Sequence, residues 1–105
     1  MSRISTHVLD TTLGLPAAGI VVHLEYAGQS VAVQRTDHDG RCVNLLPGAA
    51  MEPGEYRLRF ETGSYHQCKG LYPVVEITVT VRPGDTHLHV PLLLSPNGYT
   101  TYRGS

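Results

Sequence analysis

His87 and His89 stand two residues apart in the run Thr86 to Leu94, where Leu88, Val90 and Leu92 take the intervening positions. In an extended strand that spacing puts both imidazoles on one face and the aliphatic side chains on the other. The run Ile4 to Leu9 is built alike: Ile4, Thr6 and Val8 share the better core face, leaving Ser5, His7 and Leu9 to point outward. Imidazole can take or give a proton near neutrality, so two facing one pocket can divide the work of base and acid. Arg41 follows the turn Asp37-His38-Asp39-Gly40. Its planar guanidinium could hold an anion or a carbonyl oxygen through two parallel hydrogen bonds. His87 and His89 also make half of a metal site, but no Cys or carboxylate completes it in the pattern, and no metal is expected. His23 reads as a sheet-face residue, and His38 and His66 as loop residues, with no role assigned. An outward strand histidine is ordinarily a solvated surface residue, and so is a lone turn arginine. Periodicity alone therefore stops at a set of outward histidines.

The elements that carry these side chains are strands. Ile20, Val22, Leu24 and Tyr26 alternate with Val21, His23 and Glu25. Tyr56, Leu58 and Phe60 alternate with Arg57, Arg59 and Glu61, and Val75, Ile77, Val79 and Val81 with Glu76, Thr78, Thr80 and Arg82. Turns are predicted at Ala27-Gly28-Gln29-Ser30, leading into a strand Val31 to Thr36, and at Arg82-Pro83-Gly84-Asp85. A third, Ser95-Pro96-Asn97-Gly98, precedes a last strand Tyr99 to Arg103. The segment Gly63 to Gly70 breaks the alternation and is read as one short helix. Many short strands, each with one apolar face, predict an all-β, two-sheet antiparallel β-sandwich.

The chain has 105 residues and is read as one domain, 1–105. A domain of that size cannot easily enclose a deep cavity, so a cleft or an interface between copies is the natural place for chemistry. The outward face with His7, Leu9, His87, His89 and Pro91 reads better as a surface covered by another subunit than as a solvated one. Net charge is −1 and no run of Lys or Arg occurs, which argues against nucleic acid or an anionic membrane as partner. No stretch approaches the roughly 20 apolar residues of a transmembrane helix. The first residues lack the regions of a secretory signal, and Gly104-Ser105 is no organellar address, so a cytoplasmic protein is expected. Cys42 and Cys68 fit no metal spacing and are read as free, partly buried thiols.

Four segments carry a resemblance. Ile4-Ser5-Thr6-His7-Val8-Leu9-Asp10 with Gly14-Leu15-Pro16-Ala17-Ala18-Gly19 resembles the opening of the transthyretin-like family, and Thr36 to Arg41 its second block. His87 to Pro96 resembles its penultimate strand. Tyr102-Arg103-Gly104-Ser105 is similar to the terminal tetrapeptide of the branch that hydrolyses 5-hydroxyisourate. The glycine, proline and aspartate turns alone are unspecific, because carboxypeptidase regulatory-like modules share them for structural reasons. His7, the block around His89 and the tail are the specific parts. Hormone-carrying transthyretin has Lys, Glu and Thr where this chain has His7, Arg41 and His89.

The resemblance implies a transthyretin-like sandwich and hydrolysis of 5-hydroxyisourate to 2-oxo-4-hydroxy-4-carboxy-5-ureidoimidazoline, a step of urate degradation, with no cofactor. It further implies a homotetramer with sites where two dimers face each other. His7, Arg41 and His89 would be catalytic. His7, Arg41, Tyr102, Arg103 and Ser105 would bind substrate. The histidines would deprotonate a water and return a proton to the leaving ring nitrogen, Arg41 would hold the developing oxyanion, and Tyr102 the ring edge. The alternatives from another class are a transthyretin-type ligand carrier and a structural sandwich module. Leu88 stands where an aromatic is common in the family; it falls on the core face, so packing rather than chemistry should feel the change.

Overall fold

The computed structural model describes residues 3–48 and 50–105. Among these residues, nine strands and one short helix run in the order β1 (Arg3–Asp10), β2 (Leu15–Pro16), β3 (Val21–Tyr26), β4 (Gln29–Arg35), β5 (Arg41–Cys42), β6 (Gly54–Phe60), α1 (Thr62–Tyr65), β7 (Val75–Val81), β8 (His87–Ser95) and β9 (Gly98–Thr101). One sheet has the order β2-β1-β8-β9, with β5 also pairing to β1; the other has the order β4-β3-β6-β7. None of the described helices is long and apolar enough to cross a membrane.

The alternation seen in the sequence becomes the interior between the two sheets. Ile4 and Val8 from β1, Val22 and Leu24 from β3, Leu58 and Phe60 from β6, and Leu92 and Leu94 from β8 are all buried. Full burial of side chains of this size contributes about 1.5–3 kcal/mol each, which fixes the face of every strand that supplies one. Thr6 sits on the same face and is buried, because its hydroxyl donates to the Val90 carbonyl at 2.6 Å. Leu88 is buried, on the core side as its position requires.

The structure departs from the sequence-based expectation in four places. The sheets are not wholly antiparallel: β1 and β8 pair in parallel, Ile4 beside Leu88 through Asp10 beside Leu94. The first hairpin turn is tighter than four residues. Ala27 and Gly28 both take positive φ, 52° and 79°, so a two-residue turn closes it and Gln29 already pairs with Tyr26. The last strand ends at Thr101 rather than Arg103. Its next partner on β8 is Pro91, which has no N–H to give to the ladder. Finally, Cys68 is exposed rather than partly buried, while Cys42 is buried on β5; both are free. Burial, followed by the Asp37 charge, pushes the Cys42 thiol up to about 11, which leaves it inert.

Candidate active site

Arg41 owes its position to the turn before it. The Asp37 carboxylate accepts the N–H of Asp39 at 2.9 Å and of Arg41 at 3.0 Å, and the Gly40 N–H donates to the Asp37 carbonyl at 2.9 Å. These bonds, that to the Arg41 N–H foremost, hold the Asp37 carboxyl below its usual range. Gly40 has φ +75°, and a Cβ there would lie 2.4 Å from the Val8 carbonyl oxygen. Only glycine suits that backbone and that approach. The closed turn delivers Arg41 to β5, directly opposite His7 on β1.

On its other edge β1 is paired with β8, so that Ser5 lies beside His89 and His7 beside Pro91. Residues beside one another in a ladder point the same way, so Arg41, His7, Ser5, His87 and His89 share the outer face of this sheet. The imidazoles of His87 and His89 are 6.4 Å apart between ring centres. Ser5, though on the outer face, is only 7% exposed. Its Oγ lies 2.8 Å from His89 Nδ1 and 3.2 Å from His87 Nε2. The pKa of His89 is lowered from the ordinary imidazole value, first by burial and then by the charges of His87, Arg41 and His7; a contact with the Ser5 backbone opposes the shift. Three of the groups named from sequence, His7, Arg41 and His89, thus converge on one patch, with His89 biased toward its neutral, proton-accepting form.

The tail returns to this patch at one point. Register places Thr101 beside Leu92, and the same register places Gly104 beside His89, to whose carbonyl its N–H donates at 2.8 Å. Between them the Pro91 carbonyl is satisfied by the Thr101 hydroxyl at 2.7 Å. Ser105 follows Gly104 and is exposed. Tyr102 and Arg103 line a groove of about 400 Å³ along the open edge of the sandwich, together with Ile77, Val79, Leu88 and Val90. Arg103 lies 3.8 Å from the Asp85 carboxylate. Within one chain, no hydrogen bond or ion pair among the described residues ties Tyr102 or Arg103 to His7, Arg41 or His89.

The remaining histidines sit elsewhere. His23 bonds Glu61 at 2.5 Å on the outer face of the second sheet. Asp37, His38 and Asp39 bring ligand-type atoms within 4.8 Å of one another, but all three are exposed and belong to the turn that carries Arg41. Two residues at the patch carry no role in the sequence reading. Ser5 shares the His7 face by simple alternation, a usable signal; its contact with β8 depends on the parallel pairing, which alternation does not reveal. Gly104 is the other: a Cβ there would meet His89 Cδ2 at 2.4 Å and Pro91 Cγ at 3.1 Å.

A two-sheet sandwich with an imidazole and guanidinium patch on its outer face defines a class, and sequence comparison places the chain within it. Residues 4–104 match the HIUase/Transthyretin family, and the chain belongs to that family. The 5-hydroxyisourate hydrolase of Mus musculus is 45% identical over 113 residues, covering 99% of this chain and 96% of the relative. Among solved structures, 5-hydroxyisourate hydrolase from Klebsiella pneumoniae superposes with a TM-score of 0.89 at 34% identity, covering 100% of this chain and 94% of that one. Transthyretin from Sparus aurata superposes with a TM-score of 0.87 at 26% identity, covering 99% and 97%.

Proposed function

We propose that this protein is a 5-hydroxyisourate hydrolase, acting in urate degradation at the patch formed by His7, Arg41 and His89. The observation that carries the reading is the convergence of these three side chains on one sheet face, through the β5–β1–β8 pairing, in a chain 45% identical to an enzyme of that name. The reaction needs a water deprotonated, an oxyanion held and a ring nitrogen protonated. His89, with its lowered pKa, suits the first task. Arg41 suits the second, because preorganised charge aimed at a developing oxyanion is often the largest single contribution to rate. His7, beside Arg41, is placed to steer the water or return the proton.

The active form on this reading is a homotetramer of single-domain chains, in the cytoplasm, with sites closed where two sheet faces meet. Tyr102, Arg103 and Ser105 would bind substrate in that assembly, where tails and patches of different copies come together.

The test is ultraviolet decay of freshly generated 5-hydroxyisourate. Wild-type protein should accelerate it, while His7→Ala and His89→Ala should remain folded oligomers and lose about a hundredfold or more in rate. Binding without accelerated decay would instead identify a carrier of the transthyretin type. Sedimentation of the native protein should give the mass of four chains, and a monomer would remove the assembly from the proposal.

A further inference from the structure

We propose that Ser5 and His87 are positioning residues, forming with His89 a hydrogen-bonded chain that keeps the His89 Nε2 lone pair free for the attacking water. The inference rests on the reading that His89 serves as base, and it assigns two further residues to the same reaction.

A serine hydroxyl has one proton and two lone pairs. Ser5 Oγ sits within bonding distance of two imidazole nitrogens, His89 Nδ1 at 2.8 Å and His87 Nε2 at 3.2 Å. It can donate to only one of them, so the other must bring its own hydrogen. Two polarities place that hydroxyl proton between the rings; a third, in which both rings donate to Ser5, leaves the His89 Nε2 lone pair as free as the first does. In the first, Ser5 donates to a bare His87 Nε2 and accepts the Nδ1–H of His89, which leaves His89 Nε2 with its lone pair. In the second, His87 Nε2 carries a hydrogen, Ser5 accepts it and donates to His89 Nδ1, and His89 then presents an Nε2–H that takes no proton. Only the second polarity bars His89 from acting as base.

The surroundings hold this chain in place. Ser5 is almost fully buried on strand β1, and the parallel register puts it beside His89, with Arg3 beside His87. Its hydroxyl is thus wedged between two side chains two residues apart on the neighbouring strand. Gly104 closes on the opposite edge of the His89 ring, near Cδ2. A half-turn flip of the ring would exchange Nδ1 for Cδ2 and break the bond to Ser5. Among the described residues no group bonds to His89 Nε2, so the nitrogen that Ser5 does not engage is the one left for substrate.

The chemistry balances without moving the chain. Water gives a proton to His89 Nε2 while its oxygen bonds to the ring carbonyl carbon, whose π pair moves onto the carbonyl oxygen as the oxyanion. The imidazolium so formed still donates Nδ1–H to Ser5. The oxyanion then re-forms the carbonyl, the ring C–N bond breaks, and Nε2 passes its proton to the leaving nitrogen, which restores the starting tautomer.

Two measurements test this. Long-range nitrogen correlation spectra of histidine-labelled wild-type protein should show neutral His89 with hydrogen on Nδ1 and none on Nε2. Ser5→Ala should lower kcat by at least about tenfold with little change in KM, and Ser5→Thr, which keeps the hydroxyl, should recover most of the loss. A wild-type His89 that carries its hydrogen on Nε2 overturns the proposal, whatever the folding of the variants. So does a folded Ser5→Ala protein with wild-type kcat. If wild-type protein does not accelerate decay of 5-hydroxyisourate at all, the reading beneath fails, and with it this extension. Activity that is lost in His89→Ala but kept in Ser5→Ala removes the extension alone.

Discussion

Gly104 is pressed against the imidazole of His89: its N–H donates to the His89 carbonyl at 2.8 Å, and a methyl group in place of its hydrogen would lie 2.4 Å from His89 Cδ2. The obstruction is a side-chain ring rather than backbone, so the ring is what must yield. Gly104→Ala should therefore leave thermal unfolding within a few degrees of wild type. Turnover of 5-hydroxyisourate should fall by about tenfold or more, since small misplacements of a catalytic group are costly. Equal loss of stability and activity would mean that Gly104 holds the fold and not the ring.

The lowered pKa of His89 sets the acid side of the rate profile. A base works only when deprotonated, and burial, His87, Arg41 and His7 all move this group below 6.5. The rate should hold as pH falls to 6.5 and decline only below it. The same shift acts on stability. The unfolded chain takes up this proton at a higher pH than the folded one, so the contribution is present above 6.5 and lost as pH falls through the folded pKa. Measured kcat/KM with an acid midpoint at or above 7 would remove His89 as the base.

The strand faces were open to reading because burial imposes a period of two. Leu88, Val90 and Leu92 had to face inward, and that alone turned His87 and His89 out. Pairing direction was closed to the same reading, because a strand alternates identically in parallel and antiparallel ladders. For that reason His7, Arg41 and His89 could be named but not joined; the join needs β5 on one side of β1 and β8 on the other. Ser5 could be turned outward but given no role for the same reason, its partners being 82 and 84 residues away. The early end of β9 was legible in principle, since Pro91 cannot donate to a neighbour. The positive φ of Ala27 was not, because alanine rarely adopts it.

Gly40 offers a test of how far Arg41 depends on its turn. Gly40→Ala would have to adopt φ +75° and place a Cβ 2.4 Å from the backbone oxygen of Val8. Backbone strain of this kind costs roughly 1–3 kcal/mol, and here the obstructing atom is main chain and cannot swing away. Chemical denaturation should show at least that loss. The surviving folded fraction should also turn over slowly, because Arg41 is the next residue and its place opposite His7 follows from the turn. A variant with wild-type stability would mean that the turn relaxes freely and does not position Arg41.

Tyr65 supplies the converse case, a polar contact that supports the fold and stands apart from the chemistry. Its hydroxyl donates to the Asp10 carboxylate at 2.6 Å, while the other oxygen of Asp10 accepts the N–H groups of Thr12 and Leu13 at 3.0 Å each. Burial, and then the bond to Asp10, pushes the Tyr65 hydroxyl up to about 12. Because the folded value is raised, its stabilisation is whole below pH 10, the value of a free tyrosine, and is lost as pH rises toward 12. Tyr65→Phe removes the donor and should cost roughly 1.5–3 kcal/mol at neutral pH, in the range of a hydrogen bond to a charged group. Stability lost between pH 10 and 12 should shrink in the variant. Turnover per folded chain should not change, because Tyr65 and Asp10 make no contact with His7, Arg41 or His89 among the described hydrogen bonds. A fall in kcat in this variant, at unchanged assembly, would show that the Asp10 end of β1 transmits to the histidine patch.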